Sequence, residues 1–183
     1  AFSRTQYGTA SLANAGDISA TGTDGAYGAV MFGSYATLDN TGAINAASDG
    51  SAFAVYAVGI DGVTASNGGS IDAQSATSAA IGLAAISYAG EVSLVNSGDI
   101  FAYTGSGVAA GAYLVGYTSV TVDNTGTIGG ASGASPAYGL VAISNGDVTI
   151  NNAGTISAQD DTAAIAVRMS SNTGTSRLYN SGL

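Results

Sequence analysis

Apolar and small polar residues alternate through Val120-Thr121-Val122, Val148-Thr149-Ile150, Val92-Ser93-Leu94 and Ala36-Thr37-Leu38. A period of two is that of a strand with one buried face, and β-branched residues suit such a pleated surface. Thr and Ser take the outward positions, so Val, Leu and Ile point in. Each run leads into the same triplet, Asn-x-Gly. It begins at Asn14, Asn40, Asn67, Asn96, Asn124, Asn152 and Asn180, at intervals of 26, 27, 29, 28, 28 and 28 residues. Isoleucine follows the glycine by two at Ile18, Ile44, Ile71, Ile100, Ile128 and Ile156. Alanine follows two further on at Ala20, Ala46, Ala73, Ala102 and Ala158, with Gly130 once in its place. The alternation thus resumes, and a second short strand is expected after each triplet.

The asparagine falls on the inward side of the alternation, where a polar side chain must be hydrogen-bonded. In stacked coils each Asn would lie about 4.8 Å above the last, the spacing of neighbouring strands. Its amide both donates and accepts, so it can bond to a turn and to the next Asn in a ladder. That structural reading is preferred to a row of ligand-binding amides, because the inward register never changes. The glycines of the triplets, Gly16, Gly42, Gly69, Gly98, Gly126, Gly154 and Gly182, are expected to permit a bend that a Cβ would obstruct.

A third apolar run completes each unit: 26–32, 52–58, 80–86, 109–115, 137–143 and 164–170. Length variation is confined to the loops around it, such as Thr21 to Gly25, Ala131 to Pro136, Gly59 to Gly62 and Ser144 to Asp147. Strict alternation puts Tyr27, Phe53, Ile81, Tyr138 and Ile165 inward, with Leu83, Leu140, Met31 and Met169. The opposite face is apolar too, which makes Val30, Phe32, Tyr56, Val58, Ile86, Tyr113, Val115, Val141 and Ile143 a candidate lateral contact face. Arg168 breaks that stripe at one end.

Units repeated every 20–50 residues stack to bury a shared core. The expected fold is all-β: a right-handed parallel β-helix, or β-solenoid, with three short strands per coil of about 28 residues and six to seven coils. The rod would be about 30 Å long. One domain spans 1–183, with 1–8 as a partial first coil or cap and 178–183 as an incomplete last coil.

Composition narrows the chemistry. Only 8% of the 183 residues are charged, against about 25% in soluble domains. The net charge of −9 comes from eleven Asp and Glu91 against Arg4, Arg168 and Arg177. Without Lys or Arg clusters, nucleic acid and anionic membrane surfaces are poor partners. No run reaches about 18 uninterrupted apolar residues, so this segment is not expected to insert into a membrane. No cysteine is present, which removes disulfides, thiolate metal sites and Cys nucleophiles and suits export through a periplasm. The N-terminus lacks a basic and hydrophobic leader, so an export signal would be removed or lie outside the chain.

The units Val-Thr-Leu-x-Asn-x-Gly-x-Ile-x-Ala, followed by Ala-x-Gly-Leu/Val, resemble the β-helical passenger domains of bacterial autotransporters and related adhesin-like surface proteins. The resemblance covers about residues 7–183. It implies an extracellular or bacterial cell-surface protein acting in attachment, aggregation or biofilm, and no catalytic residue. Two departures stand out: no C-terminal outer-membrane barrel and no evident capping segment.

Other chemistries have little support. Without His or Lys, Ser–His and Ser–Lys nucleophilic pairs cannot be built, and no Gly-Lys-Ser/Thr phosphate loop exists. Asp72, Asp99 and Asp123 lie near one corner on successive coils, where a glycosidase would need two carboxylates at a set separation; solvated, solubilising roles are preferred. Asp147 or Asp160-Asp161 could bind Ca²⁺ weakly. No cofactor, metal or catalytic site is assigned.

The leading expectation is a non-enzymatic structural solenoid for adhesion, aggregation or self-assembly into a filament. Its partners would be its own copies, end-to-end or laterally, or host and cell-surface glycans or proteins. The alternative is a polysaccharide-binding or polysaccharide-cleaving β-helix. Ranked lower is an ice-binding solenoid, because the Thr37, Thr64, Thr121, Thr149 column is interrupted by Ser11, Ser93 and Arg177. The chain starts with polar Ser3, Arg4 and Gln6 and stops at Asn180-Ser181-Gly182-Leu183, so either a longer protein or end-to-end stacking is expected. Joined ends leave 17 residues between triplets, 11 short of a coil of 28.

Overall fold

The structure, a computed structural model, describes residues 1–5 and 7–182; Gln6 and Leu183, read above as parts of the two terminal segments, lie outside them. Among the described residues every regular element is a strand. The first six are β1 Phe2–Arg4, β2 Thr9–Asn14, β3 Asp17–Gly22, β4 Gly25–Asn40, β5 Ala43–Ser48 and β6 Ser51–Asn67. Then come β7 Ser70–Ser75, β8 Ala80–Ser87, β9 Glu91–Asn96, β10 Asp99–Thr104, β11 Ala109–Gly116 and β12 Ser119–Asn124. The last are β13 Thr127–Ser132, β14 Ala137–Ser144, β15 Asp147–Asn152, β16 Thr155–Asp160, β17 Ala164–Ser171 and β18 Ser176–Asn180.

Every pairing is parallel and sets equivalent residues side by side, Ile44 beside Ile71 and Asn96 beside Asn124, with a one-residue shift between β4 and β6 at Gly33–Tyr35. The chain is a β-solenoid of about six turns. Face A, before each asparagine, holds β2, the ends of β4 and β6, β9, β12, β15 and β18. Face B, after it, holds β3, β5, β7, β10, β13 and β16. Face C holds β1, the starts of β4 and β6, β8, β11, β14 and β17. Because β4 and β6 run unbroken through the C–A corner, faces C and A bond as one sheet of 12 strands, and face B is a separate sheet of 6.

The core lies between the faces and repeats once per coil. Face B supplies Ile44, Ile71, Ile100 and Ile128; face A supplies Leu38, Leu94 and Ile150; face C supplies Met31, Leu83, Leu114 and Leu140, all buried. Burying such a side chain contributes about 1.5–3 kcal/mol. The remaining inward positions of face C are mostly alanine, as a narrow interior requires.

The asparagines form the expected ladder. Each Nδ2 donates to the Oδ1 of the next, from Asn14 through Asn40, Asn67, Asn96, Asn124 and Asn152 to Asn180, at 2.6–2.8 Å. Each also donates to the carbonyl of its own triplet's glycine, as Asn96 does to Gly98 O at 3.0 Å. The glycine requirement has a cause other than the one expected. No corner glycine adopts a positive φ; among the described residues only Gly8 does. A Cβ on Gly42, Gly69 or Gly98 would instead lie 2.0 Å from the glycine carbonyl oxygen of the coil beneath. Close stacking of backbones, not the bend, excludes a side chain.

The other two corners are also lined with polar residues, a feature absent from the sequence reading. At the B–C corner Ser48, Ser75, Thr104 and Ser132 are buried in one register column. Each hydroxyl donates to a loop carbonyl of the preceding coil, as Ser75 Oγ does to Gly50 O at 2.6 Å, and accepts from its own loop, as from Ser78 N at 3.0 Å. At the C–A corner Ser87, Ser144 and Ser171 each accept from their own loop, and Ser87 and Ser171 also donate to a carbonyl of the preceding coil. The sequence signal was a small hydroxyl residue at the end of the second strand in four coils and of the third in three.

Strict alternation fails on face C. Ala26 and Met31 are buried, and so are both Gly28 and Ala29 between them. The register passes from Tyr27–Phe53 to Ala29–Val55, skipping Gly28, and the same skip recurs on every later coil. The strand turns at this residue, so two successive positions face inward. Leu83, Leu140 and Met31 are inside as expected, but Tyr27, Phe53, Ile81, Tyr138 and Ile165 lie on the outer face; Tyr27 is 49% exposed. The turn presses backbone against the opposing isoleucine: a Cβ on Gly28 would meet Ile44 Cγ2 at 2.9 Å and Ala54 O at 2.6 Å.

Candidate functional site

Register arranges the outer side of face C in three columns. The first is Tyr27, Phe53, Ile81, Ala110, Tyr138 and Ile165; the second is Val30, Tyr56, Ala84, Tyr113, Val141 and Arg168; the third is Phe32, Val58, Ile86, Val115, Ile143 and Ser170. All nine residues of the expected contact face point outward, and the first column, missed by strict alternation, joins them. Val58 and Val141 are nevertheless buried, at 7% and 3% exposed.

Aromatic rings bind the lower coils of this face together. Tyr27 stacks on Phe53 at 5.2 Å and 4°, Phe53 meets Tyr56 edge-on at 5.9 Å, and Tyr56 meets Phe32 edge-on at 5.8 Å. Such pairs contribute about 0.5–1.5 kcal/mol beyond area burial. Burial raises the Tyr56 phenol above its usual range, with Tyr88 and Tyr27 adding to the shift. Arg168 is the one charged residue in the three columns. The acids lie at the rims: Asp24, Asp49, Asp160 and Asp161 toward the B–C corner, and Asp61, Glu91 and Asp147 toward the C–A corner.

The other acidic candidates are dispersed. Asp72 pairs in register with Asn45 and Phe101, whereas Asp99 pairs with Ser70, two positions nearer the corner. Asp123 is on face A and accepts from Asn151 Nδ2 at 2.7 Å. Asp72 Oδ2 accepts from Gln74 Nε2 at 2.9 Å, and its buried Oδ1 has no partner. The three are not brought to one site. The threonine column is single: Ser11, Thr37, Thr64, Ser93, Thr121, Thr149 and Arg177 are in register on face A, flanked by Asp39, Ser66, Val95, Asp123 and Asn151.

Two of the candidate Ca²⁺ carboxylates are engaged by loop groups, Asp160 by its own loop and Asp147 by the loop of the next coil. Asp147 Oδ1 accepts from Thr175 N at 2.8 Å and Thr175 Oγ1 at 3.1 Å. Asp160, at the end of β16 where other coils carry a corner hydroxyl, accepts from Thr162 Oγ1 at 2.6 Å and Ala163 N at 2.8 Å. Among the described residues no group of three His, Cys, Asp or Glu side chains is placed to hold a metal ion. The Thr175 backbone and hydroxyl hold the Asp147 carboxyl below its ordinary value of 3.8. The Thr162 hydroxyl and the Ala163 amide do the same for Asp160. A carboxyl depressed by folding contributes stability above its unfolded pKa and loses it as pH falls through the folded one. Hydrogen exchange at Ala163 and Thr175 is therefore expected to accelerate relative to core amides below the ordinary value of 3.8, and to be flat from there to neutrality.

Compared with protein-family models, with curated proteins and with solved structures, the chain matches none.

Proposed function

We propose that this chain is a non-enzymatic structural rod, secreted or displayed on a bacterial surface, that mediates adhesion, aggregation or self-assembly through its apolar face. The observation that carries this reading is the outer side of face C: three apolar columns over six coils, interrupted by one charge. The resemblance of the repeat to autotransporter passengers and adhesin-like proteins supports the surface location. A rim of carboxylates around an apolar centre is the usual anatomy of a protein interface.

The size of the face argues for weak, many-fold contact. Five residue steps across and five coil rises along give roughly 400 Å², within the range of the largest apolar patches on monomers. Two such faces would bury roughly 800 Å², less than the ~1,200 Å² at which stable pairwise interfaces begin. Copies displayed densely on a surface overcome weak affinity through multivalency.

Beads densely coated with the protein are therefore expected to clump. Beads carrying the double variant Val30→Asp/Tyr113→Glu, whose new charges add to the acidic rim, should stay dispersed with an unchanged β circular-dichroism spectrum. Wild-type beads that remain dispersed overturn the reading.

A further inference from the structure

A second surface lies along the C–A corner. Two shallow cavities of about 470 and 360 Å³ share Tyr88 and follow the solenoid axis. Their inner wall is the third column of face C, from Phe32 through Val58 and Ile86 to Ile143. Corner residues Gly33, Ser87, Gly116 and Ser144 form a low floor. The outer wall is a ridge of Ile60, Tyr88 and Tyr117 on three successive coils, 49%, 65% and 55% exposed. Arg4 lines one end and an amide pair the other, where Asn172 Nδ2 donates to Asn145 Oδ1 at 2.9 Å.

We infer that this groove binds a linear, uncharged polysaccharide lying parallel to the solenoid axis. The ridge presents one large side chain per coil, and coils rise by about 4.8 Å, the length scale of one sugar ring; Tyr88 lies opposite Ile60, and Tyr117 is offset along the turn, beside Gly90. A pyranose has an apolar C–H face to set against a tyrosine ring and hydroxyls for the amides and phenols at the rim. The trough is open, so an alkyl chain in it would stay half in water, where burial gives little. A peptide adding itself as a strand would need free backbone groups, but the corner amides are already bonded, Tyr88 N to Gly59 O at 3.2 Å and Tyr117 N to Gly90 O at 2.9 Å. Among the described residues Arg4 is the only charged one lining the groove. With Asp61 and Glu91 beside the groove and a net charge of −9, a polyanionic glycan is repelled.

The test is titration of the intact chain with neutral linear hexasaccharides of β-linked glucose, mannose and N-acetylglucosamine. A hexa-uronate and anionic lipid vesicles serve as controls. Isothermal titration calorimetry reports binding without relying on the ridge tyrosines that the variants remove. At least one neutral hexasaccharide should bind, more tightly than its monosaccharide. Tyr88→Ala/Tyr117→Ala should weaken it about tenfold or more, the loss of two ring contacts, and Tyr88→Phe/Tyr117→Phe should retain it. Preference for the hexa-uronate or the vesicles, binding unchanged by removal of both rings, or no binding to any neutral hexasaccharide overturns the inference. Val30 and Tyr113 do not line the groove, so the Val30→Asp/Tyr113→Glu variant should bind glycan normally, and the failure of either proposal leaves the other standing.

Discussion

Gly98→Ala is expected to destabilise the solenoid by about 3 kcal/mol or more, and Gly16→Ala is expected to leave it unchanged. The two substitutions are chemically identical and occur at the same position of the same triplet. At Gly98 the added Cβ would lie 2.0 Å from Gly69 O and 2.8 Å from Gly68 C. Both are backbone atoms fixed in the ladder between coils, so they cannot yield as the tip of a side chain would. At Gly16 nothing lies within 4 Å of the added carbon. Neither glycine has a positive φ, so backbone conformation drops out of the comparison and only the close approach remains. For a chain of this length the loss corresponds to a Tm lower by about 6–12 °C. Because each coil of a solenoid contacts only its neighbours, hydrogen exchange should locate the damage at the junction of the coils carrying Asn67 and Asn96. Equal melting temperatures for the two variants would remove close stacking as the reason for the glycine column.

Asn96→Leu should cost about 2–4 kcal/mol, and Asn96→Asp should cost more at pH 7 than at pH 4. Asn96 is fully buried. Its Nδ2 donates to Gly98 O at 3.0 Å, Asn124 Oδ1 at 2.8 Å and Thr127 O at 3.2 Å, while its Oδ1 accepts from Asn67 at 2.8 Å. In the leucine variant Gly98 O keeps its bond from Thr127 N, and Asn67 Nδ2 keeps Gly69 O and Asp99 O. Asn124 Oδ1 loses its donor, and one buried acceptor without a partner costs about 1–3 kcal/mol. A carboxylate at position 96 would instead face three oxygens with no hydrogen to offer. Its pKa in the folded state is therefore raised above the unfolded value near 3.9. The stability that the protonated acid retains is full below that unfolded value and is lost as pH rises through the folded one. Thermal melts from pH 4 to pH 7 should thus diverge steadily between Asn96→Asp and wild type, whereas Asn96→Leu runs parallel to wild type. An Asp variant with no added pH dependence would mean that the amide does not face those carbonyls.

The asparagine ladder could be read before any coordinates because it is a local rule repeated seven times. An amide that keeps one phase relative to a Val-Thr-Val alternation, and a fixed six-residue step to the next small apolar residue, has few structural explanations. The contact face was legible only in part. Val30, Tyr56 and Tyr113 were placed outward correctly, because they lie after the turn at the Gly28 position, in phase with Met31 and Leu114 inside. Tyr27 and Tyr138 lie before it, and a reading by twos carried them to the wrong side. The clue was a column of Gly or Ala followed by a second inward residue, as in Gly82-Leu83 and Gly139-Leu140. It carries meaning only once the isoleucine of face B is known to press on it.

The groove at the C–A corner was legible only as a spacing. Ile60, Tyr88 and Tyr117 recur at 28 and 29 residues, the coil repeat, but they sit in turns of different length that no alternation orders. Only the stacking of coils brings them into one ridge. By itself the sequence determined the repeat, the three strands of each coil, the inward amides and the need for glycine, since each follows from the hydrogen-bonding and steric demands of a few adjacent residues. The tertiary structure decided which oxygen excludes a Cβ, on which side of a bent strand the tyrosines emerge, and which turn residues share an edge. Those depend on what lies one coil away, about 28 residues along the chain but a single strand spacing of about 4.8 Å in space.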